Sequence, residues 1–343
     1  MAHPIDQLMA NKGWVLADGA TGTNLFGRGL ETGYPPELWN VERPEDVLWL
    51  HNSFLEAGSD LILTNSFGGT RFRLKLHQAQ DRVAELNVAA AKLARQAADE
   101  HAAASGRLIV VAGSIGPTGE LFEPLGALTH EDAVSAFREQ ADALVAGGVD
   151  MLWVETMSSN EEIAAALEAA KATGVKVAAN MTFDTAARSM MGVLPGDFAS
   201  FATDQGAALI GANCGIGPAE LLHSVQGMKE QNPSLPLIAK GNCGIPAYVE
   251  GKIHYHGTPE LMANYALFAR DMGASVIGGC CGTSPAHVAA MSDALKANEK
   301  RPFDADALTK ALGVAWKDLP VKPAEDAAPR RARRNRRRNS VET

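Results

Sequence analysis

Val276-Ile277-Gly278-Gly279-Cys280-Cys281-Gly282-Thr283 is an apolar run that ends in glycines and adjacent cysteines, and a helix-period stretch follows it over roughly 285–297. Apolar run, small-residue turn and amphipathic helix together are the sequence form of a strand entering a βα loop. Working upstream from it, the same form recurs. The β-rich runs are Trp14–Asp18, Leu61–Ser66, Leu108–Gly113, Met151–Thr156, Val175–Thr182, Ala208–Cys214, Leu237–Asn242 and Val276–Cys281. Between and after them lie alanine-rich helical patterns at roughly 45–57, 80–104, 130–147, 160–173, 196–205, 218–230, 258–272 and 285–297. Continuous apolar strands alternating with amphipathic helices predict a parallel sheet covered on its outside. Eight such units predict an α/β chain folded as a closed (β/α)8 TIM barrel rather than an open doubly wound sheet. Helix starts carry fitting signals, among them Pro44 before Glu45-Asp46 and Thr129 before Glu131-Asp132.

The chain has 343 residues, 46% of them hydrophobic and 21% charged, enough for a barrel of about 250 residues with additions. Residues 1–300 are assigned to the barrel and 301–321 to a carboxyl-terminal extension interrupted by Pro302 and Pro320. A short helix near 304–313 is expected to pack on the barrel or on a neighbouring subunit, and a homo-oligomer is expected. Residues 322–343 combine proline, alanine and charge with too little apolar surface to offset ordering entropy, and read as a disordered tail. Seven arginines fall within residues 330–338, so the barrel itself is more acidic than the net charge of −9 suggests. A body of that charge is a poor nucleic-acid binder, and only the basic tail suits such a partner. No run approaches the about 20 apolar residues of a membrane span, and Met1–Lys12 lacks the pattern of a secretory signal. Four cysteines in so long a chain are not a disulfide framework. A cytoplasmic protein is expected.

A barrel of this kind gathers its active site at the carboxyl ends of the strands. Asp18, Asn65, Ser114, Glu155, Thr182, Asn213, Cys214, Asn242, Cys243, Cys280 and Cys281 all fall there. A lone free cysteine ordinarily packs as a small hydrophobe. Three of them, Cys214 with the Cys280–Cys281 pair, at strand ends taken as neighbours favour a soft metal instead. Zn²⁺ with three protein ligands keeps a fourth tetrahedral position for a substrate, here read as a substrate thiol.

At this point the residues resemble the zinc-dependent homocysteine S-methyltransferases. The resemblance is carried by Asp18-Gly19-Ala20-Thr21-Gly22-Thr23, Thr64-Asn65-Ser66-Phe67, Gly113-Ser114-Ile115-Gly116-Pro117, Glu155-Thr156, Gly211-Ala212-Asn213-Cys214 and Gly278-Gly279-Cys280-Cys281-Gly282-Thr283. These motifs cover about residues 14–297, and the chain looks most like bacterial betaine–homocysteine S-methyltransferases. The resemblance implies Zn²⁺ on Cys214, Cys280 and Cys281, and homocysteine as the acceptor. It implies Asp18, with Gly19 beside it, and Glu155 as the groups that meet the acceptor's ammonium; read alone, the two acids suit a helix cap and an ion pair. Asn213 is expected beside the metal and substrate, the Gly113–Gly119 loop offers N–H groups to a carboxylate, and Cys243 reads as wall lining. No side chain of the protein is expected to act as nucleophile. A thiol near pKa 8.5 is mostly protonated at neutral pH, whereas a coordinated one is ionised outright.

The implied donor is a cationic onium compound, glycine betaine by preference, giving methionine and dimethylglycine. A quaternary ammonium calls for aromatic faces, and Trp39 and Phe67 are the leading candidates, followed by Tyr34, Tyr248 and Tyr255. Animal betaine enzymes place an aromatic after the position of Phe67, where this chain has Gly68-Gly69. A sulfonium donor such as S-methylmethionine or dimethylsulfoniopropionate suits the same electrostatics. A non-catalytic module that binds homocysteine or zinc is the alternative of a different class.

Overall fold

The computed structural model describes residues 2–231, 233–249 and 252–316. Ten strands follow in chain order: β1 Val15–Leu16, β2 Leu61–Leu63, β3 Val110–Ile115, β4 Met151–Met157, β5 Lys176–Met181, β6 Leu209–Cys214, β7 Leu237–Gly241, β8 Pro246–Val249, β9 Lys252–Tyr255 and β10 Ala274–Gly279. Eight of them pair side by side in the order β1-β10-β7-β6-β5-β4-β3-β2, while β8 and β9 form a separate hairpin. The parallel bridge Ala17–Leu61 joins the two ends of the sheet. Asp60 N donates to Leu16 O at 2.7 Å and Asp18 N to Leu61 O at 3.0 Å across that seam. The molecule is a (β/α)8 barrel, and each of the eight expected runs supplies one strand.

Alternation along each strand builds two apolar layers. Val15, Leu61, Val110, Met151, Trp153, Leu209, Ile238 and Val276 point inward and share one cluster. Their neighbours Leu16, Ile62, Val111, Leu152, Val154, Ile210, Ala239 and Ile277 point outward into the layer beneath the helices. The period of two fixes what comes next at the carboxyl ends, where the inward positions are Ser114, Glu155, Asn213, Lys240 and Cys280. An apolar barrel interior thus ends in a polar floor.

The helices that cover the sheet are Pro44–Glu56, Val83–Ser105, His130–Ala146, Asn160–Lys171, Pro195–Asp204, Pro218–Lys229, Pro259–Met272 and Pro285–Ala297. Small residues let them lie close to the strands; Ala90, Ala91, Ala94, Ala97 and Ala98 are all fully buried. Thr129, Ser159 and Thr258 cap three helix starts through their side chains. One further helix, Pro4–Lys12, closes the opposite end of the barrel by inserting Ile5 and Leu8 into the inner cluster.

The helix expected near 304–313 is Ala305–Leu312, started by Asp304 accepting from Ala307 N at 2.9 Å. Leu308 and Leu312 pack on the outer apolar layer, so it is seated on the barrel. The arginine-rich segment 322–343 lies outside the described residues. No helix among the described residues is long and apolar enough to cross a membrane.

Candidate functional site

Cys214 is the last residue of β6, and Cys280 and Cys281 follow β10. The two strands are not neighbours, because β7 stands between them. Local backbone brings the sulfurs together across it. Cys214 adopts φ 61°, a left-handed conformation rare for a residue with a side chain. The pair after β10 is pinned to β7, with Cys280 N donating to Gly241 O at 2.7 Å and Cys281 N to Asn242 Oδ1 at 3.1 Å. The three Sγ atoms lie within 4.8 Å of one another, and Cys214 and Cys281 are 3.9 Å apart at sulfur. That spacing is far too long for a disulfide. It fits the edge of a ZnS tetrahedron, about 3.8 Å for Zn–S bonds of about 2.3 Å. Hydrogen bonds from Cys214 and Cys280 hold the Cys281 thiol well below its usual range, and those with Cys280 and Cys281 push the Cys214 thiol up.

Cys243 stays apart from this cluster. It is fully buried, its Sγ donates to Gly257 O at 3.2 Å, and burial pushes its thiol up to about 11.

Two acids stand on the floor beside the sulfurs in different states. Asp18 has a contact on each oxygen: Oδ2 accepts from Leu63 N at 2.7 Å and Oδ1 forms an ion pair with Lys240 Nζ at 3.0 Å. Burial raises its pKa, against the charge of Lys240. Glu155 has more freedom. Oε1 accepts from Ser114 Oγ at 2.5 Å, and Oε2 receives only a long contact of 3.4 Å from Asn213 Nδ2. Burial pushes Glu155 up to about 7, opposed by Lys240 and reinforced by Cys280.

Asn213 holds this acid in place. Its Oδ1 accepts from Thr156 N at 2.8 Å and its Nδ2 donates to Thr156 Oγ1 at 2.7 Å. Thr156 has φ 62° and sits where the β4–β5 register shifts. The amide therefore secures a strained residue directly beside Glu155.

A cavity of about 950 Å³ opens above the floor, lined by all three clustered cysteines, Glu155, Lys240 and Ser114. Its aromatic wall is made of Phe26, Tyr34, Phe67 and Tyr255. Tyr255 comes from β9 and packs on Gly282, where a Cβ would lie 2.3 Å from its ring. Gly19 lines the cavity too, and only glycine fits there, since a Cβ would stand 2.6 Å from Thr283 O.

The comparisons with known proteins agree with this geometry. The model of the family described as homocysteine S-methyltransferase matches residues 15–295. The chain belongs to the homocysteine S-methyltransferase family. It is 31% identical over 329 residues to a methionine synthase of Mycobacterium tuberculosis, covering 92% of this chain and 27% of that protein. A Mycobacterium leprae methionine synthase is 29% identical over 289 residues, covering 80% of this chain and 24% of that one. The chain thus spans about a quarter of the length of these two relatives. Among solved structures it resembles the metallated form of the Escherichia coli homocysteine methyltransferase MmuM. There the TM-score is 0.71 and the identity 25%, with 84% of this chain and 99% of that chain covered.

Family membership makes the departures from expectation informative. Trp39 does not line the cavity: a turn at Pro36–Leu38 carries it into the layer beneath the helices, where the Arg43 guanidinium covers its ring at 4.5 Å. Asn213 stands behind the site, fully buried and outside the cavity lining, with its amide directed to Thr156 and Glu155. Nor is the loop after β3 an open row of donors, because Gly116 N donates to Phe67 O and Thr118 N to Glu162 Oε1. The side chain of Tyr248 lies outside the described residues. Lys240 was hidden inside the apolar run of β7; its signal is a lysine at an inward position of a buried strand.

Proposed function

We propose that this protein transfers a methyl group from an onium donor to the thiolate of homocysteine, giving methionine, with Zn²⁺ held by Cys214, Cys280 and Cys281. The observation that carries the reading is the convergence of three sulfurs within 4.8 Å of one another, Cys214 and Cys281 at 3.9 Å, on one cavity with a buried and under-bonded Glu155. When bound, zinc keeps an incoming thiol ionised at neutral pH.

The chain's own residues do the rest. Glu155 receives the homocysteine ammonium, and the arriving charge restores an ionised carboxylate that burial alone disfavours. Lys240 pairs with Asp18, which leaves Glu155 as the acid beside the sulfurs that has no cationic partner among the described residues. Asn213 fixes the direction of Glu155 through Thr156. The aromatic wall offers π faces to the donor cation, a contact worth about 0.5 kcal/mol when exposed and about 2 kcal/mol when desolvated.

In the transfer, a C–S bond forms to the acceptor as the donor's bond to its methyl breaks, and that electron pair leaves with the donor's heteroatom. Cation and thiolate lose their charges together, which a water-poor cavity favours. Glycine betaine is the favoured donor, with dimethylglycine as by-product, on the strength of Phe26, Tyr34, Phe67 and Tyr255 around the cavity.

The test is to incubate zinc-loaded protein and homocysteine with glycine betaine, S-methylmethionine or dimethylsulfoniopropionate and to measure methionine. Methionine with equimolar dimethylglycine is expected. Turnover with a sulfonium alone would keep the acceptor and replace the donor, and binding of homocysteine without turnover would make the protein a binding module.

A further inference from the structure

Glu37 is a buried carboxylate without a counter-ion. It is 5% exposed, and its Oε1 accepts from Gly68 N at 2.6 Å. Among the described residues no basic nitrogen comes within the 4.0 Å of an ion pair. An ionised carboxylate taken from water costs several kcal/mol unless a cation accompanies it. Burial accordingly raises the pKa of Glu37, against the hydrogen bond from Gly68 and the charges of Arg73 and His77. The residue lines the same cavity as the sulfurs.

Arg73 is the opposite case in the same wall. It lines the cavity, is half-buried, and has no ion-pair partner among the described residues. Its charge acts on Glu37, yet the two do not touch. Its guanidinium lies over Gly119, with Nη1 3.3 Å from where a Cβ would stand. The ring of Phe67 lies over Gly116 of the same loop, 2.6 Å from the corresponding position. Acid, aromatic face and base therefore follow one another around the cavity: Glu37 at Gly68, Phe67 beside it, and Arg73 across the loop.

The glycine pair is part of this arrangement. A Cβ at Gly68 would lie 2.9 Å from Glu37 Oε1, and one at Gly69 would lie 2.4 Å from Asn87 Oδ1. Where animal betaine enzymes place an aromatic after the position of Phe67, this chain has Gly68 and brings the Glu37 carboxylate to the wall.

We propose that Glu37 and Arg73 form the donor subsite and select an onium cation that carries its own carboxylate. The onium centre sits against Glu37 and Phe67, and the carboxylate pairs with Arg73. The inference rests on the proposed methyl transfer for the identity of the ligand as donor. The unpaired acid and base are separate observations.

The experiment titrates glycine betaine, by calorimetry, into the full chain loaded with zinc and homocysteine, alongside Arg73→Met, Arg73→Lys and Glu37→Gln. Arg73→Met weakens glycine betaine at least tenfold, Arg73→Lys recovers part of the loss, and homocysteine affinity stays at the wild-type value in each. Tetramethylammonium, which lacks a carboxylate, loses affinity in Glu37→Gln and not in Arg73→Met. Equal glycine betaine affinity in wild type and Arg73→Met overturns the subsite, as does wild-type protein that binds tetramethylammonium and no zwitterionic onium. Zwitterion binding that depends on Arg73 without any methionine formed would uphold the subsite and sink the methyl transfer. Turnover with an unaltered KM for glycine betaine in Arg73→Met would do the reverse.

Discussion

Lys240 Nζ stands 3.0 Å from Asp18 Oδ1, and both side chains are almost wholly buried. Lys240 also donates to Gly279 O at 2.7 Å, while the second oxygen of Asp18 takes the amide of Leu63. One ion pair thus ties β1, β2, β7 and β10 together at the seam where the barrel closes. Its attraction to Asp18, Cys280 and Glu155 outweighs burial and raises the lysine pKa, so the ammonium persists.

Removing one partner strands the other's charge. Lys240→Met is expected to cost about 3–5 kcal/mol of stability, read from urea unfolding. Asp18→Asn combined with Lys240→Met should lose less than the two single changes summed, because the double variant leaves no unpaired ion.

Glu155 is left as the free acid of the floor. Glu155→Gln preserves shape and removes charge, and should weaken homocysteine binding by about 10- to 100-fold, the worth of one charge-assisted hydrogen bond. Calorimetry on zinc-loaded protein checks it, with zinc content unchanged. An unaltered affinity would place the ammonium elsewhere.

Cysteine replacement separates metal from fold. Cys280→Ser should lower bound zinc well below one per chain, measured by atomic absorption, and abolish methionine formation. Circular dichroism should stay that of the wild type, since the apolar layers are complete without the cluster. The same holds for protein stripped by a chelator, and returning zinc should restore activity.

His51 makes the chain acid-sensitive. It is buried in the helix Pro44–Glu56, and burial pushes its imidazole down to about 4. An unfolded chain, with histidine near 6.5, takes up a proton that the folded chain refuses. The stability this residue contributes is complete above about pH 6.5 and is lost as pH falls toward about 4, by about 3 kcal/mol in all. His51→Leu should flatten that part of the pH profile of urea midpoints.

The barrel was legible because both faces of its strands are buried, so each strand is a continuous apolar run, and every covering helix but Val83–Ser105 starts at a capping side chain or a proline. The sulfurs were legible for a different reason: Cys214, Cys280 and Cys281 stand beside glycines at strand ends and converge on one spot, whereas Cys243, beside Gly244, is taken up by the outer apolar layer. Pairings that only the closed circle reveals were not legible. Lys240 looked like one polar residue in an apolar run until register turned it inward toward Asp18. Glu37, Phe67 and Arg73 lie in the connections that follow β1 and β2, Glu37 in the turn Pro36–Leu38 and Arg73 in the short helix Arg71–Lys75, and no local pattern says that these segments meet over the loop after β3. Trp39 was misplaced because the turn at Pro36–Leu38 rotates the chain before it. The helix Pro4–Lys12 went unread because Ile5 and Leu8 are its only buried residues.

X-ray absorption at the zinc edge, recorded before and after homocysteine is added, bears most directly on the account. Three sulfur neighbours at about 2.3 Å that become four on addition are what it predicts. Zinc bound through nitrogen or oxygen alone, or a sulfur count that homocysteine leaves unchanged, would contradict it.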